Sequence, residues 1–381
     1  MSDSENDRRW SAPGADVLTS IRDRLDEGRS AVVATVVGVD GSAYRRPGAK
    51  MLVEEDGSGR GHITAGCLED EVYDLAAEIL DEGEPRIETY DLMDDEDDVW
   101  GLGVGCNGII DVLLEPLDEA YAPLAEAIDS GEPIGVVTVL DGPVPVGAKA
   151  YYRDGEIVSD FGTFPEDAIA AIEAPAETLV EEGKADTVSV ETEEGTIRVF
   201  VDGIQPAPRL LVFGTGHDAR PVVELAGVNG FRVTVVGFRG AIDLEERFPT
   251  ADDHVTATPG TLTEAVDLDN TDAAVVMTHN FLDDRLTVEA LVDARLPYVG
   301  LMGPRERFEE MLDDFEEEGR TFTDEALDRL YTPVGLDLGD GSPYGIATSI
   351  VAEVVAVHNS REPKHLADRE GPIHDRVEIE N

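Results

Sequence analysis

The stretch Arg209-Leu210-Leu211-Val212-Phe213-Gly214-Thr215-Gly216-His217-Asp218-Ala219 decides the fold of the C-terminal half. Its first five residues make an apolar run of strand length. The next six have the form G-x-G-x-x-A, and residues 221–226 continue with helical spacing. Strand, glycine turn and helix in that order open a Rossmann-type unit: glycines let the backbone approach a phosphate, and the helix start attracts it. The motif alone is weak, and its placement strengthens it. Further strands are predicted at 232–236, 273–277 and 298–301, with a helix at 282–294 between the last two. Strands alternating with helices point to a doubly wound parallel sheet. A terminal helix is predicted at 346–358, and the polar residues 359–381 are expected to be a disordered tail. Upstream, Gln205-Pro206-Ala207-Pro208 marks a boundary, because its prolines oppose regular structure.

The N-terminal half reads as α/β. A helix over 17–25 ends at Gly28, and β-branched residues make a strand of 31–39. A strand at 50–53, a hairpin turn at Gly57-Ser58-Gly59 and a strand at 61–64 lead into a turn at Cys67. Leu68, Val72, Leu75, Ala76, Ile79 and Leu80 then recur at helical spacing, and Gly83 stops that helix. The acidic run 94–98 reads as a solvated loop. A strand at 109–114 and a helix at 117–128 follow. Residues 131–201 alternate short strand-like runs with acidic turns. The expected organisation is an N-terminal domain at 14–130, a β-rich connecting region at 131–205, a Rossmann-like domain at 206–358 and the tail. No internal repeat is found.

The chain has 83 acidic residues against 29 Lys and Arg, a formal net charge of −54. A compact body so charged repels itself in dilute buffer, and concentrated salt screens the repulsion. The composition points to a halophile, and it argues against nucleic acid as a partner. Two cysteines cannot make a secreted disulfide framework. No apolar run has the length of a membrane span, and the first residues lack a signal pattern. The expected location is a reducing cytoplasm.

Both cysteines sit in glycine-flanked turns, Ala65-Gly66-Cys67-Leu68-Glu69 and Gly103-Val104-Gly105-Cys106-Asn107-Gly108. A thiol at such a turn can reach a ligand, and two inert buried thiols are the equally weighted alternative. Cys67 begins a predicted helix, which favours its thiolate. Glu69 either caps that helix or acts on a bound group. Arg45, Arg46 and Lys50 place three cations within six positions, as a phosphate or carboxylate cradle or as partners of local acids. In the second domain, Gly214 and Gly216 belong to the fingerprint, and His217 and His279 stand where strands end and ligands bind. Either histidine taken singly is better read as a structural, hydrogen-bonded one. The strand at 232–236 ends in Gly237-Phe238-Arg239 where a ribose-gripping acid is usual, so Arg239 would meet a phosphate or pair with a carboxylate. A Rossmann-like sheet that binds no dinucleotide is the competing reading. The absence of H-E-x-x-H, C-x-x-C and G-x-S-x-G patterns leaves zinc hydrolase and α/β-hydrolase chemistry without support.

Together these segments resemble the XdhC/CoxI family, the accessory proteins of molybdenum hydroxylases. The resemblance is carried by Gly41-Ser42-Ala43-Tyr44-Arg45-Arg46-Pro47-Gly48-Ala49-Lys50-Met51, by the two cysteine turns, and by Phe213-Gly214-Thr215-Gly216-His217. It extends to Gly300-Leu301-Met302-Gly303-Pro304-Arg305, Pro333-Val334-Gly335-Leu336-Asp337-Leu338-Gly339 and Ile350-Val351-Ala352-Glu353. The departures are Ala65 for a glycine, Asn107 for a glycine, and Gly237-Phe238 for Asp-Pro. The resemblance implies a homodimeric chaperone that binds molybdenum cofactor (molybdopterin) as cargo, protects it while its terminal sulfur is installed, and inserts it into an apo molybdenum hydroxylase. A cysteine desulfurase is the second implied partner. On this expectation Arg45, Arg46 and Lys50 hold the cofactor phosphate. Cys67, in the turn with Gly66 and Glu69 and with Cys106 near it, approaches the metal. Gly214, Gly216, His217, Arg239 and His279 close over the pterin or a nucleotide. The rival expectation is an NAD(P)-binding oxidoreductase, and a third is a thiol-based redox sensor.

Overall fold

The computed structural model describes residues 12–41, 43–66, 68–91, 108–159 and 164–370. Backbone contacts divide the chain into two units that meet at Pro206 and Ala207, within the proline-marked boundary.

The N-terminal unit begins with α1 (Gly14–Asp26), β1 (Ala31–Gly41), β2 (Lys50–Glu54), β3 (Gly59–Gly61), α2 (Glu69–Glu82), β4 (Arg86–Asp91) and β5 (Gly108–Pro116). It continues with α3 (Ala122–Ser130), β6 (Ile134–Asp141), β7 (Lys149–Arg153), β8 (Glu156–Val158), α4 (Glu166–Glu181), β9 (Ala185–Thr192) and β10 (Gly195–Ile204). The first sheet has the order β3-β2-β1-β5-β4 and the second β8-β7-β6-β10-β9. These are one topology used twice, helix first, with a second helix before the last two strands. The sequence reading found no internal repeat; the strand order reveals one, and the run read as a connecting region supplies most of its second copy.

The match extends to backbone detail. Gly28 and Gly131, both at positive φ, follow α1 and α3. Gly48 and Gly147, at φ +93° and +83°, donate to Val36 and Val139 of the central strands, each at 2.9 Å. Three cores result. Val72, Ala76 and Ile79 of α2 pack on Val32, Ala34 and Val36 of β1. Ile172, Ala176 and Leu179 of α4 pack on Val137, Val139 and Val201. Between the copies, Ile21 and Leu124 of the two leading helices meet Val33 and Val136 of the two central strands. Each central strand is thus covered on both faces, which is why β1 and β6 read as unbroken apolar runs.

Gly203 of β10 shows how closely α4 lies on its sheet. A Cβ there would stand 2.1 Å from the Leu179 carbonyl oxygen. Gly203→Ala is expected to lower the unfolding free energy by about 2–3 kcal/mol through overpacking. Denaturant titration checks this, and an unchanged midpoint would contradict it.

The C-terminal unit contains β11 (Arg209–Phe213), α5 (Ala219–Val228), β12 (Arg232–Gly237), β13 (Asp253–Thr256), β14 (Ala273–Val276), α6 (Phe281–Asp293), β15 (Tyr298–Leu301), α7 (Arg305–Glu317), β16 (Leu330–Tyr331) and α8 (Pro343–His358). Its sheet runs β13-β12-β11-β14-β15-β16, parallel throughout. This is the expected doubly wound sheet. Helices α5 and α8 cover one face, with Val222 and Ile350 in that core. Helices α6 and α7 cover the other, with Val288 and Met311. The chain leaves β11 in opposite directions on its two sides, so a crevice opens at the carboxyl ends of β11 and β14. Among the described residues no helix is long and apolar enough to cross a membrane.

Candidate functional site

Two of the segments singled out in the sequence meet in the N-terminal unit. The loop after β1 folds back on its own strand: Ala49 N–H donates to the Arg46 carbonyl at 3.1 Å, and Val36 N–H to the Ala49 carbonyl at 2.9 Å. This turn carries Tyr44 into ring contact with His62, centroids 6.1 Å apart, at the start of the segment leading to Cys67. A cleft of about 90 Å³ lies here, its wall including Arg45, Lys50, His62, Asp202 and, from α1, Val17 and Leu18. That volume has room for several waters or one oxyanion.

The three cations of the loop have different fates. Lys50 is committed to Asp202 of β10 by an ion pair and also donates to the Gly48 carbonyl at 3.3 Å. Arg45 is partly buried, its Nε is buried without a hydrogen-bond partner, and burial lowers its guanidinium pKa from the ordinary value. Arg46 is exposed. Among the described residues no ion pair joins either arginine to a carboxylate.

Glu69 lies in the first turn of α2, as its spacing predicts, and is 1% exposed. Its carboxylate accepts from Thr64 N–H at 3.0 Å, the Thr64 hydroxyl at 2.5 Å and Leu68 N–H at 3.1 Å. Gly66 supplies φ +107° between these ends. The carboxylate thus ties Thr64 to Leu68 as a buried clamp. Cys67 and Cys106 themselves lie outside the described residues, as does the acidic run 94–98. Among the described residues no group of His, Cys, Asp and Glu is arranged to hold a metal ion.

In the C-terminal unit the structure brings Gly214, Gly216, His217 and His279 to the ends of neighbouring strands β11 and β14. A Cβ on Gly214 would stand 2.5 Å from the Met277 carbonyl, so close approach of the two strand ends requires glycine there. His279, at φ +60°, pairs through Nε2 with Asp218 Oδ2 at 2.8 Å. The other Asp218 oxygen lies over Gly216, 2.2 Å from where a Cβ would be. A carboxylate therefore sits over the glycine turn, where a pyrophosphate would approach the helix. His217 is exposed at the same turn, and Arg239 is exposed just beyond β12. The remaining motifs hold the strand ends together. Thr278 N–H donates to Asp284 at 3.1 Å, and Arg307 pairs with that same buried carboxylate. Glu353 accepts from Tyr298 OH at 2.7 Å and from Gly335 N–H at 2.9 Å.

Sequence reasoning missed Asp202 and Asp218, each the partner of a residue it had chosen. A signal for the first existed: Gly-Ala-Lys occurs at 48–50 and again at 147–149. Lys149 is likewise paired across the unit, with Glu115 at 2.5 Å.

A Rossmann-type unit joined to a twice-used antiparallel unit, with a cationic cleft and a clamped glycine turn, defines a class of two-unit α/β proteins. Within that class the chain belongs to the XdhC and CoxI family. Residues 24–91 match the XdhC and CoxI family, and residues 210–354 match the XdhC Rossmann domain. The chain is 31% identical to a probable xanthine dehydrogenase subunit of Bacillus subtilis, over 87% of this chain and 94% of that protein. It is 23% identical to the molybdenum cofactor insertion chaperone PaoD of Escherichia coli, over 94% of this chain and 95% of that one. A crystal structure described as a xanthine dehydrogenase from Bacillus halodurans superposes with a TM-score of 0.72 at 30% identity, covering 92% of this chain and 96% of that chain.

Proposed function

We propose that this protein is a maturation factor that carries molybdenum cofactor as cargo to an apo hydroxylase of the xanthine dehydrogenase type. The observation that supports it most is the juxtaposition of Arg45 with His62 and the clamped turn that leads to Cys67. The cargo has a phosphate and a metal with soft sulfur ligands. A guanidinium with no carboxylate partner among the described residues suits the first, and a thiolate suits the second. Lys50 contributes structure through Asp202, so Arg45 and Arg46 are the cations available to the cargo. PaoD, similar over nearly the whole chain, is itself a cofactor insertion chaperone.

This reading requires a molybdenum hydroxylase as client. A cysteine desulfurase supplying the terminal sulfur, a homodimeric state, a cytoplasmic location and a salt-rich habitat complete the proposal. A dinucleotide on the Rossmann-type unit is less favoured, because Asp218 places negative charge over the glycine turn and Arg239 stands where a ribose-binding acid would be.

The test is molybdenum and pterin per chain after purification in concentrated salt from a cofactor-making host. Near-stoichiometric cargo on the wild type is expected, with about tenfold or greater loss in Cys67→Ser and Arg45→Gln, the loss of one charge-assisted contact. Full retention by Cys67→Ser would end the thiol role.

A further inference from the structure

The two copies in the N-terminal unit correspond residue by residue, and their correspondence is reciprocal. Lys50 and Lys149 occupy the first position of β2 and β7, after the same Gly-Ala. Asp202 and Glu115 occupy matching positions near the ends of β10 and β5. Lys50 of the first copy pairs with Asp202 of the second, and Lys149 of the second pairs with Glu115 of the first. The small core of Val37, Leu113, Leu140 and Phe200 likewise contains two matched pairs. A Cβ on Gly48 would meet Ala185 at 3.1 Å, and one on Gly147 would meet Pro85 at 2.6 Å, residues at matching approaches to β9 and β4. The unit therefore has a pseudo-twofold arrangement with two equivalent positions for a cleft.

Those positions have diverged. Counting back from Gly28 and Gly131, Leu18 of α1 corresponds to Tyr121 at the start of α3. The Tyr121 ring lies 4.9 Å from Lys149 Nζ, and the Lys149 side chain is only 2% exposed. Leu18 is shorter and has no ring to lay over Lys50, whose side chain is 11% exposed. The loops differ in the same direction. The first carries Tyr44, Arg45 and Arg46, whereas its counterpart reads Pro143-Val144-Pro145-Val146. One copy keeps an open cleft with a cation in its wall; in the other the matching lysine lies under an aromatic ring, and the loop carries no cation.

We propose that the cleft beside Leu18 is an oxyanion seat of the phosphate class, with Arg45 as its recognising group and Leu18 as the residue that keeps it open. Asp202 does not oppose this, because its charge is matched by Lys50. The seat stands on this geometry alone. Only the identity of the molecule that carries the phosphate, the cofactor, rests on the carrier reading.

Inorganic phosphate is the probe, followed by ³¹P line broadening at constant potassium chloride with full-length protein. The wild type is expected to broaden the signal saturably. Leu18→Tyr, which copies the closed half, and Arg45→Gln, which removes the charge, are each expected to weaken binding by about tenfold or more. Asp70→Asn, at an exposed residue outside the cleft wall, is expected to bind phosphate as the wild type does. Circular dichroism of each variant separates loss of the seat from loss of the fold, and Arg45, partly exposed, is the safer substitution. No saturable binding by the wild type, or equal binding by wild type, Leu18→Tyr and Arg45→Gln, would overturn the assignment. Phosphate binding that survives while cofactor is never copurified would sink the carrier reading and leave the seat standing.

Discussion

Glu115→Gln is expected to destabilise the N-terminal unit by about 3–5 kcal/mol, the cost of leaving a buried charge without its partner. Lys149 and Glu115 have side chains 2% and 7% exposed, and they meet at 2.5 Å. Lys149 also donates to the Thr138 hydroxyl at 3.2 Å. Burial first, and then the Glu115 carboxylate, push the Tyr121 hydroxyl well above its ordinary pKa, so it remains a protonated neighbour of that carboxylate. Removing the negative member strands an ammonium in a site that water barely reaches. The double replacement Lys149→Met with Glu115→Leu removes both charges and is expected to fall within about 1 kcal/mol of wild type, or to stabilise. Asp202→Asn at the equivalent pair should cost less than Glu115→Gln, because Lys50 borders the open cleft. Denaturant unfolding at fixed salt measures all three, with the salt held constant because a net charge of −54 makes every midpoint salt-dependent. A single Glu115→Gln within about 1 kcal/mol of wild type would show that Lys149 finds solvent, and the reciprocal pairing would lose its structural weight.

The parts of this fold that were legible in the sequence are those whose signal is local. The strand of 209–213, the glycine turn after it and the alternation that follows gave the parallel sheet, because each element carries its own apolar period and its own stop. Helix α2 was legible from Leu68 to Gly83 for the same reason. The second copy in the N-terminal unit was not. Helix α4 contains Pro175, which argues against a helix when read alone, and tertiary packing of Ile172, Ala176 and Leu179 overrides it. Strands β6 to β10 share topology with β1 to β5 but few residues, chiefly Gly-Ala-Lys and the Val-x-Thr-Val of 33–36 and 136–139, since a twofold core asks only for apolar groups at matching depth. The candidate site was half legible. Arg45 and Glu69 could be found by residue type and spacing. That Lys50 would be taken by Asp202, 152 positions away, depends on the two copies meeting, and no local pattern reports it.

Glu69→Gln is expected to remove most of the cargo from the purified protein while costing about 3 kcal/mol of stability, in the range of hydrogen bonds to a charged acceptor. The reason is the inventory of groups around it. Two backbone N–H groups and one hydroxyl converge on a carboxylate that can only accept. An amide offers one accepting oxygen, and its NH₂ would face donors that it cannot satisfy. Glu69→Asp keeps the charge but is one methylene short of spanning from α2 back to Thr64, so it should fail as well. Asp70→Asn, one residue along and exposed, should keep full cargo and full stability. A clamp that acts only on folding would lower the midpoint and leave the thiol at position 67 unchanged in the protein that remains folded. A clamp that positions the thiol must also shift the pH dependence of its alkylation, because Thr64 and Leu68, on either side of position 67, are both tied to this carboxylate. Glu69→Gln protein with wild-type cargo and a wild-type alkylation profile would separate the clamp from the site. If cargo and profile change together while Asp70→Asn is silent, Glu69 is a positioning residue, and the carboxylate touches the cargo only through the turn it closes.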